Sequence, residues 1–131
     1  MTRFLLVAAG GALGSAARYG LGLAAMRLAP GAGWPIATFA ANVSGGLLMG
    51  LLAGYLAHSS GGRHEEIRLF AAVGLLGGFT TFSSYSLEAV LMLERRDYGL
   101  ALTYVAGSVI VAIAALMVGL MIARRLFGAV L

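Results

Sequence analysis

The residues able to do chemistry in this chain crowd into one run, GLLGGFTTFSSYS at 74–86, where hydroxyls and aromatic rings follow three glycines. The rest of the chain gives that run its meaning, because 60% of the residues are hydrophobic and only 11% are charged. Hydrocarbon offers no water to backbone or hydroxyl groups, so a polar run inside a membrane segment must line a protein-walled cavity or an ion path. A segment facing only lipid would carry leucine and valine there. Phe82 and Tyr85 share one helix face at i, i+3, and Thr81, Ser84 and Glu88 share an adjacent one.

Two further helices repeat the theme. Thr38 and Asn42 lie four residues apart, on one face, and so do Tyr104 and Ser108. Asn42 either bonds across to a neighbouring helix or offers its amide hydrogens to a passing anion. Tyr104 and Ser108 leave the same choice open, between interhelical hydrogen bonds and the lining of a path. Arg18 lies 14 residues after Phe4, roughly 21 Å along a helix. That is about 9 Å short of the far boundary of a ~30 Å core. It either snorkels to the interface or stands as a permanent cation in a water-filled vestibule that attracts anions. Glu88 either partners an arginine or marks a vestibule mouth.

Gly74, Gly77 and Gly78 lower helix propensity just before the β-branched Thr80 and Thr81. A helix broken there would free carbonyl oxygens within the membrane, and freed carbonyls need a donor or a cation.

Four apolar stretches can carry these residues: Phe4–Leu28, Pro35–Leu56, Ile67–Leu93 and Gly99–Ala123. Each exceeds the ~20 residues that span a bilayer core. Arg3 and the small residues at Gly14–Ala17 resemble a secretory signal, but apolar character resumes after Arg18 and completes a span. The connections are Ala29–Trp34, Ala57–Glu66 and the turn Glu94–Asp97, lengths that suit antiparallel neighbours. The expected fold is therefore an all-α, four-helix transmembrane domain over 1–131, with the third helix broken near Gly77–Thr80.

All nine basic residues are arginines scattered at span ends, which argues against a nucleic-acid surface. Arg18 aside, five lie on the side of both termini (Arg3, Arg63, Arg68, Arg124, Arg125) and three on the other (Arg27, Arg95, Arg96). This bias is small under the positive-inside rule, so copies inserted both ways up are open, and with them an antiparallel dimer. Four helices fill their own centre with side chains, so a pore calls for a partner chain. Small-xxx-small pairs (Gly10/Gly14, Gly46/Gly50, Gly50/Gly54, Gly74/Gly78) allow close helix contact, within the chain or between copies. The chain has no cysteine, which removes disulfide and thiolate chemistry.

Three motifs in order, GGALGSAARYG at 10–20, WPIATFAANVSGGLLMG at 34–50 and GLLGGFTTFSSYS at 74–86, resemble the bacterial Fluc/CrcB fluoride channel family across essentially the whole chain. The resemblance implies a dual-topology antiparallel homodimer in the bacterial inner membrane, with two passive fluoride pores. It implies a central structural Na+ held by the backbone carbonyls of Gly77 and Thr80 from each copy. Phe82 and Tyr85 map onto the family's paired phenylalanines, whose electropositive ring edges face the anion. Tyr85 departs from the phenylalanine usual there, adding a hydroxyl that either donates to fluoride or obstructs it. Asn42, Tyr104 and Ser108 match pore positions, Ser83 and Ser84 a polar track beside the rings, and Arg18 the arginine of the first motif.

Rival readings differ in their demands. A small dual-topology proton-coupled exporter, of the small multidrug resistance type, needs a carboxylate near the middle of its first helix, where this chain has only Arg18 as a charged residue. An enzyme would need more than His58, His64, Glu65 and Glu66, which lack metal-ligand spacing. A purely structural subunit leaves the Thr/Ser/aromatic track without a purpose.

Overall fold

A computed structural model describes residues 1–58 and 63–128. Among the described residues it is all-helical, with four helices long and apolar enough to cross a membrane. The first runs Thr2–Leu28, the second Ile36–His58, the third span His64–Glu94 and the fourth helix Tyr98–Phe127. The helices are longer than the apolar stretches of the sequence. Ala57, His58 and His64–Glu66, read from composition as loop, are helical. Short polar ends continue a helix at little cost once its apolar body is formed.

The third span is in two halves. Its leading half passes from His64–Ile67 through a π-helical stretch, Arg68–Leu76, to a last α-turn at Gly77–Phe79. Thr80 and Thr81 are extended (φ −80°, ψ 160° and φ −153°, ψ 125°), and the trailing half, Phe82–Glu94, restarts after them. The break thus falls at the two β-branched residues, one step beyond the glycines.

Those glycines serve close packing. A Cβ at Gly10 or Gly14 would strike the backbone of the leading half, between Phe70 and Phe79, and one at Gly74 or Gly78 would strike the first helix between Val7 and Gly11. Gly46 and Gly50 meet the backbone of the fourth helix in the same way, and Gly54 meets Ala123. All four small-xxx-small pairs are therefore used within the chain, as two helix pairs in backbone contact. The trailing half rests on the fourth helix through Tyr85, Ala89, Met92, Ala101 and Tyr104, with Trp34, Phe39 and Leu100 packed around them. Large apolar side chains such as Leu5, Leu13, Leu102 and Ile110 face outward. This is the surface expected where lipid is the solvent.

The last turn closes with paired bonds: the Arg96 N–H donates to Leu93 O (3.0 Å) and the Asp97 N–H to Met92 O (3.0 Å). This Schellman closure puts Arg96 in the left-handed region, at φ 63°. Glycine takes that conformation without the Cβ clash of an arginine. Arg96→Gly should stabilise the detergent-solubilised protein by up to roughly 1 kcal/mol in thermal unfolding. A lower midpoint would show that the Arg96 side chain contributes more than its backbone strain costs.

Candidate functional site

The site is built on the break. In an unbroken helix the Thr81 N–H would donate to the Gly77 carbonyl and the Ser84 N–H to the Thr80 carbonyl. Neither does. The Thr81 N–H donates to Asn42 Oδ1 at 2.8 Å, and the Ser84 N–H donates to Thr81 Oγ1 at 3.2 Å. The second bond is an N-cap on the trailing half, a role threonine fills well. The Gly78 carbonyl, deprived of its helical donor as well, accepts from Arg18 Nε at 3.3 Å. Among the described residues, no hydrogen bond outside the helix ladders ends on the carbonyls of Gly77 or Thr80.

Asn42 holds the break with both ends of its amide. While Oδ1 accepts from Thr81, Nδ2 donates to the Thr81 carbonyl at 3.0 Å. A primary amide has two N–H donors, so one remains after this clamp. Of the two readings open for Asn42, the bond across to another helix is present, and one donor is left over.

A cavity of about 240 Å³ lies beside the clamp, lined by Asn42, Thr80, Thr81, Phe82, Tyr85 and Ser108, among others. Among the described residues the Ser108 hydroxyl, buried there, has no hydrogen-bond partner. A buried hydroxyl without a partner is costly, on the order of 1–3 kcal/mol, unless something in the cavity completes it. Phe82 and Tyr85 stand with ring centroids 5.5 Å apart, and Tyr85 and Tyr104 follow at 5.3 Å. Phe82 is 78% exposed on the single chain. The cavity's aromatic wall is therefore open on one side.

The departure at Tyr85 has a definite place. Its ring is buried, and its hydroxyl donates to the Val105 carbonyl at 3.2 Å. A phenol has one hydrogen, so in this arrangement it has none to give to an anion.

A second cavity, about 480 Å³, shares Thr81 with the first and is lined by Ser15, Arg18, Thr38, Ser84 and Glu88, among others. Glu88 has no arginine partner there: among the described residues the ion pair found is Arg68–Glu65, at 3.1 Å. Its carboxylate instead accepts from Thr38 Oγ1 at 2.7 Å and from the Tyr104 hydroxyl at 2.6 Å. Tyr104 is fully buried, and Trp34 packs edge-on against it at 5.6 Å. Ser84 bonds to Thr81, whereas Ser83 is exposed, shares a hydrogen bond with the Thr81 hydroxyl (3.3 Å) and lines neither cavity.

The structure thus gathers Asn42, Phe82, Tyr85 and Ser108 around one cavity, and Arg18, Ser84 and Glu88 around the other. Sequence reasoning passed over Trp34, although it is the sole tryptophan. It also passed over Thr81 as a cap, which the pattern of threonine just ahead of a restarting helix signals.

Residues 5–120 match the family model described as CrcB-like protein, Camphor Resistance (CrcB). The chain belongs to the CrcB family. Its relatives include proteins named fluoride-specific ion channel FluC from Phenylobacterium zucineum (strain HLK1), 61% identical over 98% of this chain and 100% of the relative. Others of that name are from Caulobacter sp. (strain K31), 57% identical over 98% and 99%, and Hyphomonas neptunium (strain ATCC 15444), 50% identical over 98% and 100%. As a CrcB-family chain it is a multi-pass membrane protein whose four spans meet at the break.

The two tyrosines should separate on mutation. Tyr85→Phe removes one neutral hydrogen bond, and Val105 keeps its own helical donor, so the loss should be about 1 kcal/mol. Tyr104→Phe strips a donor from a carboxylate and should cost more, roughly 2–3 kcal/mol. Denaturant unfolding of both variants in detergent measures the difference. Equal losses would contradict the Tyr104–Glu88 bond as a charge-assisted one.

Proposed function

We propose that this chain forms a fluoride-selective channel, two inverted copies together, that lets the ion leave the cell passively down its electrochemical gradient. The reading rests on the family and on one structural observation. The cavity beside the break is lined by Ser108, whose hydroxyl has no partner among the described residues, by Asn42 with one amide hydrogen beyond its clamp, and by two aromatic rings, which is a donor set for a small anion.

Fluoride is small, tightly hydrated and a strong hydrogen-bond acceptor, so a pore must replace its water with donors. Neutral donors do this without a deep electrostatic trap, and conduction needs binding that is favourable on entry and weak on exit. Arg18 draws anions into the larger cavity. Ser84 and Thr81 carry the polar wall toward the break, with Ser83 meeting the path only where a second copy closes it. The ring edges of Phe82 and Tyr85 then receive the ion. Glu88, its charge met by two hydroxyls, orients Tyr104 and leaves the path to the neutral groups.

The open face at Phe82 is where the second copy completes the aromatic wall. The same contact would bring the Gly77 and Thr80 carbonyls of both copies together. Hard cations take several oxygen ligands, so two carbonyls from one chain make only part of a site. The residues present fit Na+: carbonyl oxygens whose helical donors are engaged elsewhere. In this reading the ion is structural, neutralising carbonyl dipoles at the dimer centre while remaining in place. The setting is a bacterial inner membrane with copies in both orientations, as the near-even arginine distribution permits.

A proton-coupled exporter is disfavoured by the first helix, which brings Arg18 and no carboxylate to the cavity. The test is fluoride efflux from liposomes holding the purified protein. Rapid efflux is expected whenever a counter-ion shunt is supplied, unaffected by excess chloride and by a proton gradient. Efflux that requires the proton gradient, or chloride passing with fluoride, would overturn the channel reading. In the same assay Asn42→Asp should suppress efflux by at least about tenfold. It replaces the spare donor with a charge that repels the anion, and it faces the Thr81 carbonyl with a second acceptor.

A further inference from the structure

We propose that Asn42 is the positioning residue for the cation as well as a donor to the anion, so that a single side-chain amide links the two ion sites. This rests on the channel reading, and in particular on a cation held at the Gly77 and Thr80 carbonyls.

The Gly77 carbonyl is open to a ligand because the Thr81 N–H, its helical donor, points instead to Asn42 Oδ1 at 2.8 Å. The competitor lies 39 residues away on the second helix. Asn42 Nδ2 bonds to the Thr81 carbonyl at 3.0 Å, so Thr81 is gripped on both its backbone groups and held extended. Extended Thr81 in turn places its hydroxyl over the trailing half, where it captures the Ser84 N–H and frees the Thr80 carbonyl. Removing the amide returns the Thr81 N–H to the nearest buried acceptor, the Gly77 carbonyl. That bond would close the helix over the oxygen a cation needs. Asn42, with one amide hydrogen beyond the clamp, also lines the cavity shared with Phe82, Tyr85 and Ser108. The cation's carbonyls and the anion's cavity therefore meet at the same side-chain amide.

Positioning partners of this kind typically alter metal affinity by roughly 10- to 100-fold when removed. The experiment is a Na+ titration of the thermal midpoint in detergent, with N-methylglucamine holding ionic strength constant, for wild type, Asn42→Ala and Phe82→Ile. Fluoride efflux is measured in parallel. Wild type should show a saturable rise in midpoint with Na+. Asn42→Ala should move the half-saturating Na+ concentration upward by roughly 10-fold or more, or abolish the response, and should lose efflux. Phe82→Ile, which removes an exposed ring and leaves the clamp intact, should lose efflux with its Na+ response unchanged. A merely structural loss would lower the midpoint at every Na+ concentration without moving the half-saturation point.

An Asn42→Ala response at the wild-type concentration overturns the link and leaves the channel reading standing. Absence of any Na+ response in wild type overturns both the cation site and the link, while wild-type efflux still decides the channel itself. Should Asn42→Ala fail to fold, the near-isosteric Asn42→Leu takes its place. Amide exchange on wild type adds an independent readout. The Thr81 N–H should be protected in Na+ and exchange faster without it, and rapid exchange in saturating Na+ would overturn the proposal.

Discussion

The two hydrogen bonds between the Asn42 side chain and the Thr81 backbone are the constraint on which the site depends. A membrane helix does not break without replacement partners, because every backbone group abandoned in hydrocarbon is expensive. Here three of the abandoned groups have a named substitute: Asn42 for the Thr81 N–H, the Thr81 hydroxyl for the Ser84 N–H, Arg18 for the Gly78 carbonyl. The substitutes come from the first helix, the second helix and the break itself. Three of the four spans are thereby committed to holding two residues extended.

The glycines make that commitment possible. Arg18 and Asn42 reach the break only because the first and second helices run at backbone contact with their neighbours, through Gly10 and Gly14 against the leading half and through Gly46 and Gly50 against the fourth helix. The fourth helix supplies the remaining wall. From it Ser108 enters one cavity, while Tyr104 bonds to Glu88 at the other, and the Val105 carbonyl takes the Tyr85 hydroxyl. The extra oxygen of Tyr85 is thus directed into the protein, and its ring is left to do what a phenylalanine does.

Much of this was legible in the sequence, for reasons that can be named. Span length and apolar content are set by the bilayer, so four segments emerge from composition alone. The break could be placed because glycines followed by Thr80 and Thr81 are poor helix, and helical spacing put Asn42 with Thr38 and Tyr104 with Ser108. What periodicity cannot supply is the partner across the interface. Glu88 was equally compatible with an arginine or a vestibule mouth, and only the fold shows Thr38 and Tyr104 meeting it. Asn42 reaching Thr81 is a contact between distant segments with no local signature. The π-helical stretch at Arg68–Leu76 left no trace either, since Gly74 aside its residues are tolerated in an ordinary α-helix and no periodicity separates the two forms. Ser83 matched a motif yet stands outside both cavities, because the restart at Phe82 turns it to the exposed face.

If the break presents neutral donors to fluoride along an open path, the current it carries must be passive and must follow fluoride alone. The most direct test is the reversal potential of purified protein in a planar bilayer under a tenfold fluoride gradient, with chloride symmetrical. Reversal is expected at the fluoride equilibrium potential, about 59 mV in magnitude for a singly charged ion, with no movement when pH differs across the bilayer. Reversal near zero, or a reversal potential that tracks the proton gradient, would contradict it.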